Sequence, residues 1–418
     1  MKVNAIGLHW KELFLLSHKA YTVKTGTTSE YTLLALYLHI PFCQTRCTYC
    51  AFNTYTGQSD RISRYMSALA REVQLVAGDM RRAAHTIYFG GGTPSLVPVS
   101  ELEQVIRVCA EGFELPADVE ITLEANPGSV DQAYLNDLRQ SGVNRLSVGM
   151  QSADEHELRL FARGHSLEDV RQTVSMARKA GFENISLDLI YGVPNQTFNM
   201  WRNSLEIALS MNPDHLSLYG LGVEDRTPMQ RWLAEGRLPD PDSDLAADMY
   251  EWAADQVAEA GYEQYEISNW ARPGFACRHN IHYWRNLPYL GFGAGAHGYA
   301  DNLRYVNVLR PDEYIARIER QINPLTFPLS AAANQSETEH INPQEAMAEM
   351  MLMGLRLLQE GISLNGFQAR YGHDLWSIYG VELDRLIEHQ LVERTPDARV
   401  RLTRRGRLLG NVVFSAFV

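Results

Sequence analysis

The chain has 418 residues, of which 45% are hydrophobic and 21% are charged, and its formal net charge is −12. These values are ordinary for a globular protein of two or three domains and exclude a disordered or fibrous chain. An acidic chain repels phosphate backbones, so we expect no nucleic-acid partner. No apolar run approaches the ~20 residues that a membrane-spanning helix needs.

The N-terminal 30 residues mix lysines with short apolar patches and lack the apolar core of a signal peptide. We expect a poorly ordered extension over 1–30, with a weak amphipathic membrane-surface anchor as the alternative. The chain has 5 cysteines, an odd number that disfavours a disulfide framework. Free thiols indicate a reducing compartment, and the expected location is cytoplasmic.

From residue 31, apolar strand-like runs alternate with helical patterns. Strands are predicted at 33–40, 85–89, 119–123, 145–150, 185–190 and 215–221, and helices at about 60–77, 99–112, 130–141, 154–180, 198–211 and 243–260. This order predicts an α/β fold over 31–270 with a parallel sheet and helices outside. Its six βα units are fewer than a closed eight-unit barrel needs. A partial barrel and a doubly wound sheet both stay open.

The pattern changes after the sixth unit. Residues 271–340 form an aromatic and Gly-rich segment followed by a Pro-, Ala- and Asn-containing linker. Helices at 345–360, 364–371 and 374–390, with strands at 391–394 and 400–402, then predict a small winged-helix-like domain over 341–418. Its basic tail indicates a solvent-exposed face, or a cap that covers a site for an acidic ligand. Both are favoured more than DNA binding.

The residues with chemical potential cluster just after the predicted strands, where parallel folds place active sites. Cys43, Cys47 and Cys50 follow the first strand with the spacing C-x₃-C-x₂-C. Thiolates so spaced can wrap a soft-metal centre, and a [4Fe–4S] cluster held by three would leave one iron for another ligand. A zinc site would need a fourth ligand. The candidates are His39, Cys109 and Cys277.

The second strand runs into Gly90-Gly-Gly-Thr93-Pro94. Consecutive glycines allow close backbone approach and exposed N–H groups, which suit a polar ligand. A tight strand-to-helix turn explains the glycines equally well. Their position beside the cysteine loop, on a neighbouring strand, favours the binding role.

Together these residues resemble the radical S-adenosylmethionine superfamily, whose signature is the C-x₃-C-x₂-C loop and whose fold is a partial (β/α)₆ barrel. More narrowly, Tyr37–Cys43, Tyr88–Pro94 and Asp188–Pro194 are similar to the oxygen-independent coproporphyrinogen III oxidase family and its haem chaperone branch. The similarity covers roughly 31–418, including the C-terminal domain.

The resemblance implies that Cys43, Cys47 and Cys50 bind the cluster, whose open iron takes the methionine end of S-adenosylmethionine. It also assigns further residues to cofactor binding. These are Tyr37 and Tyr49 flanking the cluster, Gly91, Gly92 and Thr93 at the methionine end, Glu124 at the ribose, Gln151, Arg163 and Asp188 around a second cofactor or substrate region, and Gly222 and Leu290, which match only by spacing. A simple Asp188–Arg163 ion pair is the structural alternative for two of these residues.

Two features separate the branches of the family. The oxidase motif has a further cysteine two residues after the third, and here that position is Phe52. The chaperone branch carries H-N-x-x-Y-W, present here as His279 to Trp284. A neutral imidazole can bind haem iron, so His279 is the first candidate haem ligand, followed by His282 and Cys277. The alternative is that these side chains cap a turn and pack beneath the barrel.

The resulting hypothesis is a haem chaperone that holds a [4Fe–4S] cluster, S-adenosylmethionine and haem, and that delivers haem to an acceptor protein. Respiratory enzymes are one class of acceptor, and homodimerisation and peripheral membrane contact are open. The rival is oxidative decarboxylation of coproporphyrinogen III, and a third hypothesis is another radical reaction on a tetrapyrrole. Whether the chain is an enzyme stays open.

Overall fold

The fold is described from a computed structural model that covers residues 33–78, 81–322 and 327–417. The N-terminal extension expected over 1–30 lies outside these residues. Within them, one large mixed sheet carries helices on its outer face, and a small domain follows at the C-terminal end. No helix of the described ranges is long and apolar enough to cross a membrane.

The main sheet contains the six predicted strands and several later ones. Its longer strands are β1 (Leu34–Ile40), β2 (Arg82–Gly91), β3 (Glu120–Ala125), β4 (Arg145–Gln151), β5 (Asn184–Tyr191), β6 (His215–Gly220), β7 (Asn269–Ala271), β8 (Tyr289–Phe292), β9 (His297–Ala300) and β10 (Leu303–Val306). The order β6-β5-β4-β3-β2-β1-β8 is a parallel run. β7 pairs antiparallel with β6, and β9 and β10 continue antiparallel from β8. The described sheet is an open partial barrel, as predicted.

Helices follow the strands in the predicted alternation. They are α1 (Ile62–Ala77), α2 (Val99–Gly112), α3 (Gln132–Gln140), α4 (Glu155–Leu160), α5 (Leu167–Lys179), α6 (Phe198–Ser210), α7 (Pro228–Ala234), α8 (Ser243–Glu259), α9 (Arg278–Trp284) and α10 (Pro311–Arg320). Two-residue strands complete the region, at Phe42–Cys43, Tyr55–Thr56, Phe113–Glu114, Glu263–Gln264 and Glu339–His340. The sequence pattern does not predict α7, α9 or α10.

The two faces of the parallel sheet differ in chemistry because side chains alternate along each strand. The face under the helices is apolar and fully buried, as at Leu36, Ile87 and Leu146. The inner face is polar, and the cross-strand register aligns one polar row from β3 to β6. This row consists of Glu124, Ser147, Ser186 and His215. Parallel strands are usually apolar on both faces, so a polar interior indicates a space for polar ligands.

Residues 271–340 add regular structure to the barrel. β8 pairs with β1 as a seventh parallel strand, and β8, β9 and β10 form an antiparallel extension. Glycines allow this close pairing, because a Cβ on Gly291 would lie 1.9 Å from the His297 carbonyl oxygen and one on Gly298 would meet the Tyr305 ring. Short strands rich in glycine have no clear periodicity, which is why the sequence suggests an irregular segment here.

The C-terminal domain has its own apolar core. Its elements are α11 (Pro343–Gly354), β11 (Ile362–Ser363), α12 (Leu364–Tyr371), α13 (Leu375–Glu388), β12 (Val392–Arg394), β13 (Arg399–Leu402), α14 (Arg404–Leu408) and α15 (Gly410–Phe414). The order of helices followed by a β-hairpin matches the predicted winged-helix-like arrangement. α11 ends earlier than predicted, at Gly354, where a Cβ would lie 2.3 Å from the Ile362 side chain.

A buried carboxylate ties α1 to the extension of the sheet. Glu72 is fully buried and accepts hydrogen bonds from the Gly293 amide at 2.7 Å, the Tyr314 hydroxyl at 2.6 Å, the Asn307 amide at 2.9 Å and the Ser330 hydroxyl. Burial raises its pKa, and the hydrogen bonds oppose this rise. One side chain thereby joins four segments that are distant in sequence.

Replacing Glu72 with Ala should destabilise the fold by about 3 kcal/mol, because four buried donors would lose their acceptor. Chemical denaturation followed by circular dichroism measures this change. The matched control is Glu103→Ala on the exposed side of α2, which should shift the midpoint little. Equal shifts for both variants would contradict the structural role of Glu72.

Candidate functional site

The cysteine loop begins directly at the carboxyl end of β1. Phe42–Cys43 pairs in parallel with Tyr55–Thr56, and the Tyr55 amide donates to the Pro41 carbonyl at 2.7 Å. These contacts close the loop at its base. Cys43, Cys47 and Cys50 are free and partly exposed along it. The loop therefore presents three thiols at the carboxyl-end mouth of the barrel.

Thr48 fixes the middle of the loop to the opposite side of the mouth. Its amide donates to the Phe161 carbonyl at 3.2 Å, and its hydroxyl donates to the Leu160 carbonyl at 2.7 Å. The Met229 amide donates to the Thr48 carbonyl at 3.0 Å. Because these partners follow β4 and β6, the cysteine loop spans the mouth between non-adjacent strands.

Asn53 fixes the end of the loop. Its side-chain amide donates to the carbonyls of Ala294 and Leu309, both at 2.9 Å. The Asn53 carbonyl accepts from His39 Nε2 at 2.9 Å, so His39 Nδ1 is left to accept from the Tyr37 hydroxyl at 3.0 Å. Burial lowers the pKa of His39 to about 4, which keeps the ring neutral. His39 therefore supports the loop through two hydrogen bonds.

The zinc alternative does not match this arrangement. His39 uses both ring nitrogens, Cys109 is buried on α2, and the Cys277 thiol donates to Glu120 at 3.6 Å. Across the described ranges, no three His, Cys, Asp or Glu side chains gather closely enough to hold one metal ion. Three thiolates in one loop fit a cluster, whose thiolate ligands bind different irons.

Burial raises the pKa of the Cys43 and Cys50 thiols. The Thr93 hydroxyl, 3.6 Å from the Cys43 sulfur, opposes the rise, as does the Phe52 amide at Cys50. The charges of neighbouring thiolates add to the rise in each pKa. Metal ligation requires the thiolate form, and a positively charged iron centre would supply the compensation that three close thiolates need.

The edge of β2 packs directly against the cysteine loop. The Gly92 amide donates to the Ile40 carbonyl and the Thr93 amide to the Phe42 carbonyl, each at 2.8 Å. A Cβ on Gly92 would lie 2.6 Å from the Phe42 oxygen and 3.0 Å from the Cys43 sulfur. Glycine is therefore required at position 92 because the two backbones approach closely, whether or not a ligand binds there.

Glu124 lies at the end of β3 and contacts the same glycines. Its carboxylate accepts from the Tyr88 hydroxyl at 2.8 Å and from the Gly91 amide at 3.0 Å. Burial raises the pKa of Glu124 to about 7, and both hydrogen bonds oppose the rise. This acid therefore changes charge near neutral pH, on the inner face of the barrel.

Arg163 connects the mouth to the cysteine loop. Its guanidinium donates to Asn126 Oδ1 at 2.8 Å and to the Tyr49 hydroxyl at 2.7 Å. Asn126 Nδ2 in turn donates to the Thr93 hydroxyl at 3.2 Å, which contacts the Cys43 sulfur. Arg163 Nε is buried without a partner. A buried cationic group with an unused donor, beside thiolates, fits an anionic ligand.

Gln151 belongs to the same polar group. It ends β4 with a left-handed φ of 64°, and a Cβ on Gly149 would lie 2.8 Å from its Nε2 and 3.7 Å from Arg163 Nη1. Asp188 is placed differently, deeper in the barrel. Its carboxylate accepts from the hydroxyls of Ser147 at 2.9 Å and Ser186 at 3.1 Å. Arg163 and Asp188 thus have separate partners, so the ion pair considered as the structural alternative is wrong.

Gly222 follows β6 in an irregular segment at the mouth. Leu290 lies in the apolar core, paired with Leu36 on the helix-covered face, so its side chain is not brought into the site.

The inner face of the barrel itself is open. Tyr219, on the inner face of β6, leaves 43% of its surface exposed, so free space remains beside this strand. A glycine cradle, a titratable acid and this space together fit S-adenosylmethionine.

The candidate haem ligands lie at the other end of the barrel, on or next to α9. The Glu120 carboxylate accepts from the backbone amides of Arg278 and His279, both at 3.0 Å, and so caps this helix. His279 is 1% exposed, and its ring nitrogens contact the hydroxyls of Thr86 at 2.8 Å and Tyr283 at 3.0 Å. Burial lowers its pKa well below the usual range.

His282 and Cys277 are also fully buried. His282 Nε2 donates to the Pro288 carbonyl at 2.7 Å, so its Nδ1 accepts from His85 at 2.9 Å. Together with the Cys277–Glu120 contact, these bonds leave the three candidates engaged inside the protein. The geometry agrees with the alternative that the motif caps a turn and packs beneath the barrel. Iron ligation by any of the three requires a change of partner.

Sequence reasoning missed the residues that hold the site together. Thr48, Asn53 and Asn126 act through side-chain or backbone contacts across the mouth. Asn126 precedes a proline, a common turn signal, and Asn53 stands three residues after the last loop cysteine. Thr48 carries no such signal.

Replacing Gly92 with Ala should displace the β2 edge from the cysteine loop, because the added methyl meets two backbone carbonyls. We expect lower iron content per monomer after anaerobic reconstitution and faster bleaching in air. Gly164→Ala is the matched control, since a Cβ there meets nothing within 4 Å. Full iron content in the Gly92 variant would contradict the contact.

Comparison with known proteins agrees with this geometry. The Radical SAM superfamily matches residues 37–208, and the HemN C-terminal domain matches residues 341–409. Coproporphyrinogen III oxidase (HemN) from Escherichia coli, a radical SAM enzyme, is similar in structure with a TM-score of 0.78 and 23% identity, covering 93% of this chain and 91% of that chain. At this identity the likeness establishes the fold.

Sequence relatives are closer. Heme chaperone HemW of Bacillus subtilis is 38% identical over 384 residues, which cover 91% of this chain and 98% of the Bacillus protein. Heme chaperone HemW of Lactococcus lactis is 36% identical over 384 residues, which cover 91% of this chain and 96% of the Lactococcus protein. The chain therefore belongs to the HemW heme chaperone family of the radical SAM superfamily.

Proposed function

We propose that this chain binds haem and delivers it to an acceptor protein, with a [4Fe–4S] cluster and S-adenosylmethionine supporting that step. The observation that carries the proposal is the near full-length similarity to Heme chaperone HemW proteins. The three-cysteine loop at the mouth agrees with it. The free thiols suit a protein that works in a reducing, cytoplasmic compartment.

The cluster site is proposed at Cys43, Cys47 and Cys50. When bound, the cluster supplies one-electron reduction of S-adenosylmethionine. The chain's own residues position these groups. Thr48 and Asn53 hold the loop across the mouth, and the Gly92 edge packs against Cys43. A rigid support of this kind is what a cluster loop needs to keep its ligands in place.

The cofactor pocket is proposed between the glycine edge and the polar inner face. Gly91, Gly92 and Thr93 would line the methionine end, with Tyr37 and Tyr49 at its sides. Glu124 would accept from the ribose hydroxyls, in exchange for its present bonds to Tyr88 and Gly91. Gln151, Arg163 and Asp188 would line the remaining polar wall.

Phe52 favours delivery of haem over oxidase chemistry. Its ring is 68% exposed beside the cysteine loop, at the position where the oxidase motif has a further cysteine. A phenyl ring neither ligates iron nor transfers a proton. The oxidase reaction is the second candidate, and it is kept because the chain shares its fold with coproporphyrinogen III oxidase.

Haem ligation by His279, His282 or Cys277 stays a prediction. Each would have to exchange an internal hydrogen bond for iron, so ligation would follow an opening of α9. The acceptor, including respiratory enzymes as a class, homodimerisation and peripheral membrane contact also stay predictions.

The proposed function is tested by titrating the anaerobically reconstituted protein with haem and following the Soret band. We expect saturation near one haem per monomer, transfer of haem to an apo-acceptor, and no protoporphyrinogen from coproporphyrinogen III. The Cys43→Ala variant is the control for the cluster and should lose its brown absorbance. Absence of specific haem binding by the cluster-loaded protein would overturn the proposal, and turnover of coproporphyrinogen III would favour the oxidase.

The role of Glu124 predicts a pH dependence of S-adenosylmethionine binding. Because its pKa is raised to about 7, the carboxyl is neutral at pH 6 and ionised at pH 8, where it is the stronger acceptor. We expect affinity to increase about fivefold over this interval, the difference between neutral and charged hydrogen bonds. Equilibrium dialysis measures it. Glu124→Gln should bind with a flat profile over the same range, and an unchanged slope in that variant would contradict the assignment.

A further inference from the structure

An exposed apolar and basic surface lies beside the cysteine loop. Phe52 is 68% exposed and Leu309 is 55% exposed. The two residues belong to neighbouring segments, because Asn53, next to Phe52, donates its side-chain amide to the Leu309 carbonyl at 2.9 Å. The Tyr55 hydroxyl donates to the same carbonyl at 3.1 Å. Exposed large apolar side chains grouped in this way often mark an interaction site.

Two guanidinium groups border these side chains. Arg46 and Arg310 are both exposed, and Arg310 directly follows Leu309 in the chain. Arg46 donates to the Cys50 carbonyl at 3.4 Å. Among the residues that the structure describes, neither guanidinium pairs with a carboxylate. The surface therefore combines an aromatic ring, an aliphatic side chain and two cations without acidic partners.

Two other strongly exposed apolar side chains lack this combination. Val381, which is 82% exposed on α13, is followed by Glu382 and Asp384. Those carboxylates would repel an anionic ligand. Ile322 borders residues that the structure does not describe. The cysteine-loop surface differs from both of these places in its two guanidinium groups.

We propose that Phe52, Tyr55, Leu309, Arg46 and Arg310 form an outer docking site for haem, here named the loop platform. The inference rests on the proposed function, and it names the surface on which the cargo docks. A haem presents a flat apolar macrocycle and two propionates on one edge. Phe52 and Leu309 contact the macrocycle, and Arg46 and Arg310 pair with the propionates.

The outer position of the platform agrees with the burial of the three candidate haem ligands inside the protein. His279, His282 and Cys277 are buried and engaged in hydrogen bonds inside the protein. A macrocycle arriving from solvent therefore meets an outer surface first. The platform needs no iron ligand, so it recognises the porphyrin and its carboxylates.

The test compares three ligands on the cluster-loaded full chain: haem, metal-free protoporphyrin IX and haem dimethyl ester. Absorbance and fluorescence titrations give each Kd. Because the platform contacts the macrocycle and propionates, haem and protoporphyrin IX should bind within about threefold of one another. The ester, which lacks propionate charges, should bind about fivefold more weakly at low salt and show less dependence on salt.

Variants locate the site. Phe52→Ser and Leu309→Ser should each weaken binding of haem and protoporphyrin IX about tenfold, from the loss of apolar contact. The double variant Arg46→Gln/Arg310→Gln should bind the acid and the ester equally. Val381→Ser and Arg405→Gln, exposed residues of the C-terminal domain, are the matched controls and should leave each Kd unchanged. Leu309→Ser lies outside the cysteine loop, so it tests the platform even if Phe52→Ser lowers the iron content.

The outcomes separate the two proposals. No haem binding by the wild type would overturn the proposed function and the platform together. Haem binding that excludes protoporphyrin IX and is unchanged in the platform variants would overturn the platform alone and indicate an iron ligand elsewhere. Variants that bind haem normally but fail to transfer it would show that the surface contacts the acceptor protein, which also overturns the proposal.

Discussion

The site depends on anchoring a short cysteine loop across the open end of the barrel. A loop of this length cannot fix three thiols by itself, since ordering each residue costs on the order of 1–2 kcal/mol of conformational entropy. Here the order comes from hydrogen bonds to fixed backbone groups. Thr48 contacts the segments after β4 and β6, and Asn53 contacts the segment after β8. The positions of the thiols are thus set by three widely separated parts of the chain.

Because the loop must be anchored, elements without reactive or ligand-binding side chains also contribute to the site. β8 adds a seventh parallel strand, and the turn that follows it supplies the Ala294 carbonyl that holds Asn53. Glu72 of α1 holds the same turn by accepting a hydrogen bond from the Gly293 amide. The first turn of α7 supplies the Met229 amide to Thr48. Because the loop and its supports pack as one unit, loss of a distant support should weaken binding of the cluster.

The sequence predicts the architecture well because strong periodic patterns mark the six βα units and the C-terminal helices. It also predicts which residues gather at the mouth, since the carboxyl ends of parallel strands lie at one edge. It does not predict α7, α9, α10 or the pairing of β8 with β1. Those elements are short, and their register depends on tertiary contacts such as the approach of Gly291 to His297.

The internal hydrogen bonds of the site escape sequence analysis for a related reason. The H-N-x-x-Y-W motif is visible in the sequence, but whether His279 is free or engaged depends on Thr86 and Tyr283. Thr86 lies 193 residues away in the chain. No local pattern reports a partner at that distance. A chemically suitable residue type therefore identified the candidates, and the fold decided their accessibility.

The contrast between a closed interior and an open platform bears on delivery itself. A chaperone must release its cargo, so the strength of the first contact has an upper as well as a lower bound. A histidine–iron bond inside a sealed barrel end would add an opening step to both uptake and release. Exposed apolar contacts and screened ion pairs give moderate affinity instead, and the cargo stays reachable from solvent. In such a scheme Phe52 is a functional replacement for the oxidase cysteine, because the same position presents an apolar ring where the oxidase has a thiol.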